Sequence, residues 1–166
     1  GARSGAQLLS RDWQVAGLRR EPARLPAGFT GFAGDYTRPG SLDFIAALQP
    51  EFLVVTANPS DRSVEGYRRG FTLGAQNLLA GLGGHKPRAV LWVSSTRVYA
   101  ERDGGWVDEA SALAEDDPRA LAMVAAALEA AAAAAGTALS PELQKALAEA
   151  LAGGGPAALT PEQHRR

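Results

Sequence analysis

Along the first hundred positions, short unbroken apolar runs alternate with longer stretches of helical period. Val90–Val93, bounded by Pro87-Arg88 and Ser94-Ser95 within a strand Ala89–Val93, reads as a central strand of a parallel sheet, and Phe52–Thr56, after the stop Gln49-Pro50, as a strong β-branched strand. Gln14–Leu18 and Phe29–Ala33 predict two further short strands. Between the strands, Ala2–Ser10 reads as a helix with Leu8 and Leu9 on its apolar side. Ser41 reads as the N-cap of a helix that runs through Leu48 and stops at Gln49-Pro50. Val64–Leu82 carries Phe71, Ala75, Leu78, Leu79 and Leu82 at helical spacing and ends at Gly83-Gly84. Strands alternating with helices predict βαβ units, hence a parallel sheet with flanking helices and right-handed crossovers.

The pattern changes past residue 110, where 18 of the 42 residues 111–152 are alanine. The chain therefore divides into an α/β portion, 1–110, and an Ala-rich helical segment, 111–166. Helix punctuation is well formed in the second portion. Asp117-Pro118 supplies an N-cap with proline in the first turn, and Gly136 a stop. Ser140-Pro141-Glu142 opens another helix, with Leu143, Leu147 and Leu151 one turn apart and Gly153–Gly155 closing it, and Thr160-Pro161-Glu162 looks like a third start. Alanine favours helix but buries little area, so these helices are expected to form readily and pack weakly.

Composition narrows the function classes. A chain of 166 residues with net charge −1 has the size of one domain and lacks the basic field of a nucleic-acid binder. No apolar run approaches the roughly 18–20 residues of a membrane span, and no secretory leader is visible, so a cytoplasmic protein acting on a small molecule is expected. Cysteine is absent and the two histidines, His85 and His164, are far apart, which argues against a metal site. The Gly-x-Ser-x-Gly, Walker and HExxH motifs are missing. Asp108-Glu109 and Asp116-Asp117 read as surface turns or helix caps.

Chemistry is concentrated where Val90-Leu91-Trp92-Val93 gives way to Ser94-Ser95-Thr96-Arg97-Val98-Tyr99. In open α/β sheets ligands bind outside the carboxyl ends of the strands, which is where these hydroxyls fall. The run resembles the "SSxxVYG" strand end of the extended and atypical short-chain dehydrogenase/reductases, the superfamily of NAD(P)-dependent epimerases and dehydratases. Gly74-Ala75-Gln76-Asn77-Leu78-Leu79 is similar to its "GtxNLL" helix, and Gly34-Asp35 to its "GD" step. The resemblance covers about two-thirds of the chain and implies a Rossmann-like sheet that binds a dinucleotide.

In this resemblance Gly1 aligns with the last glycine of the dinucleotide fingerprint, and the first strand and earlier glycines are not in the sequence. The expected sheet therefore lacks its first strand. An edge left unpaired in this way predicts marginal stability or self-association into a homo-oligomer. Eighteen residues after Gly1, Arg19 stands with Arg20 where NAD-preferring proteins carry a carboxylate. Arginine suits the 2′-phosphate of NADP, although a solvated loop pair is the alternative reading. Asp35 is implied as an adenine contact, Ala57 as the small residue beside the cofactor ribose, Ser94 as part of the cofactor edge and Asn77 as a backbone tether. Asp35–Pro39 and Asn58-Pro59 also read as ordinary turns.

The superfamily's proton transfer needs a Ser or Thr hydroxyl and a Tyr-x-x-x-Lys pair, the lysine lowering the tyrosine pKa toward neutrality. Ser95, with Thr96 beside it, matches the hydroxyl. The region expected to carry the pair, Leu121–Leu128, has neither tyrosine nor lysine. The resemblance thus implies an NADP- or NAD-dependent epimerase/dehydratase- or reductase-like protein for a sugar-nucleotide or carbonyl substrate. The alternatives are a non-catalytic dinucleotide-binding or regulatory protein, and an inactive fragment of such an enzyme.

Overall fold

In a computed structural model, residues 2–136, 139–145 and 149 are described. The order is α1 (Ala2–Leu9), β1 (Ala16–Arg19), β2 (Thr30–Ala33), α2 (Ile45–Leu48), β3 (Phe52–Val55), α3 (Val64–Tyr67), α4 (Gly74–Leu82), β4 (Ala89–Trp92) and α5 (Pro118–Ala134). A π-helical turn, Arg68–Leu73, joins α3 to α4, so the stretch expected as one helix over 64–82 is continuous but locally widened and underwound. Both strand pairs are parallel, as the βαβ reading requires: β1 with β2, Ala16 opposite Thr30, and β3 with β4, Phe52 opposite Ala89. They form two two-stranded sheets rather than one.

One helix start differs from expectation. Ser41 does not cap a helix; its Oγ accepts from the Asp35 backbone N–H at 2.8 Å, and α2 begins four residues later behind Phe44, with no side-chain cap. The hydroxyl is taken by the turn after β2, which leaves residues 39–44 in turns. Asp117 behaves as read, accepting from Arg119 N–H with Pro118 in the first turn, and Gly136 adopts φ +71, a left-handed conformation that glycine takes without strain. Ser140 Oγ accepts from Leu143 N–H at a helix start, whereas Leu147, Leu151, Gly153–Gly155 and Thr160 lie outside the described residues.

The core lies on one face of the strands. Leu42, Ile45, Leu78 and Leu82 are buried against Leu18, Leu53, Val55 and Trp92, so a single cluster lies against both strand pairs. At about 1.5–3 kcal/mol for each large aliphatic buried, it is a principal source of stability. A second cluster joins Phe71 and Ala75 to Met123 and Ala126. Here the weak packing expected of the Ala-rich segment does not hold. Seven residues of α5, five of them alanine, are buried, because a methyl-only face lets the helix approach α4 and the π-turn closely while Met123 fills the remaining space.

The 64–82 helix approaches the strand loops just as closely. A Cβ on Gly70 would stand 2.3 Å from the Asn58 carbonyl oxygen, and one on Gly74 2.7 Å from the Tyr36 ring. The Gly70 obstacle is backbone and cannot rotate away. Gly70→Ala is therefore expected to destabilise the protein by about 1–3 kcal/mol. Urea unfolding of the two proteins checks this; equal midpoints would show that the Asn58 loop yields.

Candidate functional site

The loops that follow β1, β2, β3 and β4 carry nearly all the residues singled out in the sequence. After β2, Asp35 Oδ1 accepts from the Thr37 backbone N–H at 3.0 Å and from its hydroxyl at 2.6 Å. The Thr37 hydroxyl is the main reason the Asp35 carboxyl titrates below the ordinary aspartate range; burial opposes it, and the Thr37 backbone N–H and the Arg20 and Arg38 charges add to it. Asp35 is thus a held, ionised acceptor at the sheet edge.

The next residue ties two loops together. Tyr36 Oη donates to the Asn58 carbonyl at 2.8 Å and accepts from the Asn58 N–H at 3.2 Å. Asn77, the expected backbone tether, donates its amide to the Tyr36 carbonyl at 2.8 Å. Ala57 is half-buried and packs against the Phe71–Ala75 cluster, which keeps the loop after β3 low. These ties join the end of β2 to the end of β3.

Arg19 ends β1 with an exposed side chain whose Nη1 donates to the Arg24 carbonyl at 3.1 Å. Arg20, also exposed, lies near enough to Asp35 to help lower its pKa. After β4, Ser94, Ser95 and Thr96 are all exposed. Ser95 Oγ accepts from the Arg97 N–H at 3.3 Å and so caps a 3-10 turn over Thr96–Val98. Among the described residues no hydrogen bond joins these hydroxyls to Arg19, Arg20 or Asp35; they share an edge, not a contact. Gly1 lies outside the described residues.

Three features of this edge were not read from the sequence. Tyr36 and Asn58 make its central tie. The glycines at 66, 70 and 74, one per helical turn, let the helix lie against those loops, and their four-residue spacing was the available signal. Arg97 is the third: its guanidinium lies 5.6 Å from the Tyr67 ring centre and donates to Asp117 Oδ2 at 2.9 Å. Asp117 also takes the Arg119 Nε at 3.1 Å, so it pins the hydroxyl-bearing turn to the start of α5. The region searched for a tyrosine–lysine pair, Leu121–Leu128, lies on α5 and contributes Leu121, Ala122, Met123, Ala125 and Ala126 to the core.

Among the described residues there is no cluster of three potential metal ligands, and no helix long and apolar enough to cross a membrane. A shallow apolar cavity lined by Leu79, Leu82, His85, Val90 and Ala130 lies away from the strand ends, with His85 Nε2 2.9 Å from the Pro50 carbonyl oxygen.

No family model and no curated protein matches the sequence. The chain is similar to a solved structure from Methylobacillus flagellatus provisionally described as an NAD-dependent epimerase/dehydratase, with 34% identity and a TM-score of 0.61. The similarity covers 76% of this chain and 45% of that one, so this chain spans less than half the length of that protein. Together with the parallel strand pairs and their crossover helices, it makes the chain a Rossmann-like α/β protein. Within that class its similarity is to the epimerase/dehydratase superfamily.

Burial raises the Asp117 pKa, but the Arg119 backbone and side-chain bonds and the Arg97 bond outweigh it, and the net shift is downward. A carboxylate depressed in the folded state contributes stability above its unfolded value, 3.8, and that contribution is lost as pH falls toward the lower folded value. Asp117→Ala removes both the cap and the arginine partner, at an expected cost of about 2 kcal/mol near neutral pH that shrinks below about pH 4. Urea midpoints measured from about pH 7 to about pH 3 check this; a cost independent of pH would mean that the charge of Asp117 contributes nothing.

Proposed function

We propose that the edge at the carboxyl ends of β1–β4 is the adenosine side of a nicotinamide dinucleotide site, NADP preferred. The protein would be epimerase/dehydratase- or reductase-like, taking a sugar-nucleotide or carbonyl small molecule. The observation that carries this reading is that Arg19, Arg20, Asp35, Ala57 and Ser94–Thr96 all fall on that one edge, in a chain similar to an NAD-dependent epimerase/dehydratase. On this reading the described residues fit the adenosine end of the cofactor.

Each side chain has capacity for its role. Arg19 spends one guanidinium N–H on the Arg24 carbonyl, and the remaining donors are free to grip a 2′-phosphate, with Arg20 adding charge. Asp35, kept ionised by Thr37, accepts from an adenine amine. Ser95 Oγ accepts from Arg97 N–H, which leaves its own proton to donate to a substrate oxygen, with Thr96 beside it. When bound, the nicotinamide supplies hydride exchange.

A second reading, a non-catalytic dinucleotide-binding or regulatory protein, is favoured by the apolar Leu121–Leu128 segment. Its residues are spent on the core where the superfamily resemblance implies a proton-transfer pair. Both readings share the adenosine site and differ in turnover.

Cofactor choice rests on Arg19. Hydrogen bonds to a charged group are worth roughly 1.5–3 kcal/mol, so NADP is expected to bind about tenfold to a hundredfold more tightly than NAD. Arg19→Asp should invert the ratio, since aspartate repels the phosphate and accepts from a ribose hydroxyl. Titrations of both proteins with NADP and NAD at one salt concentration test it. Equal binding by the natural protein, or an unchanged ratio in the variant, would remove Arg19 from the site.

A further inference from the structure

Trp106 stands fully in water, more exposed than any other large apolar side chain among the described residues. Its loop is nevertheless held in place. The base is a short antiparallel pairing, in which the Ala100 N–H donates to the Ala112 carbonyl and the Ala114 N–H to that of Val98, both at 2.8 Å. On one side of the tip, Glu101 accepts from the Asp103 and Gly104 N–H groups at 2.6 and 3.2 Å. On the other, Asp108 Oδ1 accepts from the Ala110 N–H at 3.0 Å and from the Ser111 hydroxyl at 2.9 Å. An indole carried on such a frame presents a large apolar area that folding leaves unburied. Residues 100–112 also carry four carboxylates against one arginine, and Arg102 is turned back onto the Tyr99 and Glu101 carbonyls. The tip is thus an aromatic ring in a negative surround.

A matching surface lies at the other end of α5, in the shallow apolar cavity. Leu79, Leu82, Val90, Ala130 and Ala133 line a volume of about 130 Å³, close to the roughly 150 Å³ of an aliphatic cavity that takes benzene. Lys86 is the one charged residue on its wall; its ammonium stands beside Gly136 and makes no ion pair among the described residues. His85 adds a hydrogen-bond acceptor. Its Nε2 can only donate to the Pro50 carbonyl, 2.9 Å away, so Nδ1 of the neutral ring keeps its lone pair. An aliphatic pocket with a cation and a ring-nitrogen acceptor suits an aromatic N–H group carried among carboxylates, which is what Trp106 is. The Trp106 loop hangs from the start of α5, where Asp117 holds Arg97. The cavity lies at the end of that 17-residue helix, about 25 Å along its axis. Trp106 does not fill the cavity of its own chain, since it is fully exposed.

We propose that Trp106 of one copy of this chain seats its indole in the Leu79–Ala133 cavity of a second copy, with the loop carboxylates facing Lys86. The two surfaces differ, so the contact is heterologous. Burial of the ring supplies the affinity, tryptophan being a common anchor of interfaces. The opposed charges orient the approach and speed it. The proposal does not depend on the dinucleotide reading.

The test is sedimentation velocity of the full chain and its variants, alone and mixed. The natural chain is expected to self-associate. Trp106→Ser, at a side chain that folding does not use, keeps only the cavity; Ala133→Phe fills the cavity and keeps only the indole. Each variant alone is expected to be monomeric, and their equimolar mixture to form a complex of one copy of each. Lys86→Glu, at an exposed side chain, should weaken self-association about tenfold or more at low salt and less at high salt. It decides the matter with Trp106→Ser if Ala133→Phe loses the circular dichroism spectrum of the natural chain. Four outcomes overturn the proposal: a natural chain monomeric at about 1 mM, undiminished self-association of Trp106→Ser, a monomeric mixture of the two folded variants, or undiminished self-association of Lys86→Glu. N-acetyltryptophanamide bound by a natural chain that stays monomeric would make a small aromatic molecule the occupant, and overturns it too.

Discussion

Because β1–β2 and β3–β4 share no ladder hydrogen bond, their relative placement depends on the phenol of Tyr36. It both donates to and accepts from the Asn58 backbone, while Asn77 holds the Tyr36 carbonyl from above and Gly74 leaves room for the ring. Beneath this tie, Leu42, Ile45, Leu78 and Leu82 form a floor common to both pairs. The hydrophobic cluster is a principal source of stability, but it is non-directional. The Tyr36 bonds, which have preferred distances and angles, bring the ends of the two strand pairs to one edge. Every candidate ligand-binding residue in the described chain depends on that alignment.

Helix α5 shows how composition and position interact. Its alanines contribute little area each, yet their lack of side-chain bulk lets the helix sit against α4 and the π-turn with Met123 as filler. The same helix begins at Asp117, whose carboxylate caps the first turn and holds Arg97. The exposed hydroxyls of Ser94, Ser95 and Thr96 are therefore anchored through Arg97 to the start of a buried helix. A segment used in this way for the core has no side chains to spare for acid–base chemistry, which links the fold directly to the choice between a turning-over and a merely binding protein.

The fold class, the four strands, the long helix and its glycine stop were legible in the sequence, because each rests on local periodicity and punctuation. So were the Asp117 cap, the stop at Gly136 and the Asn77 tether. The helix start assigned to Ser41 was misread: its hydroxyl had a competing acceptor role toward Asp35 N–H, and which of the two prevails depends on a turn, not on spacing. The edge position of Arg19, Asp35 and Ser94–Thr96 followed from their places at strand ends, without revealing that Arg19 donates to Arg24.

What the sequence by itself determined is the set of elements and the end of the sheet at which polar groups collect, since both follow from residue order within a few neighbours. Only the tertiary structure decided that the strands stand as two separate pairs with no ladder between them. It also decided that the Ala-rich helix is core rather than cover, and that Tyr36 and Asn58 join the edge. These depend on which surfaces meet across long separations in the chain, and no periodicity encodes the distance between two strands that do not touch.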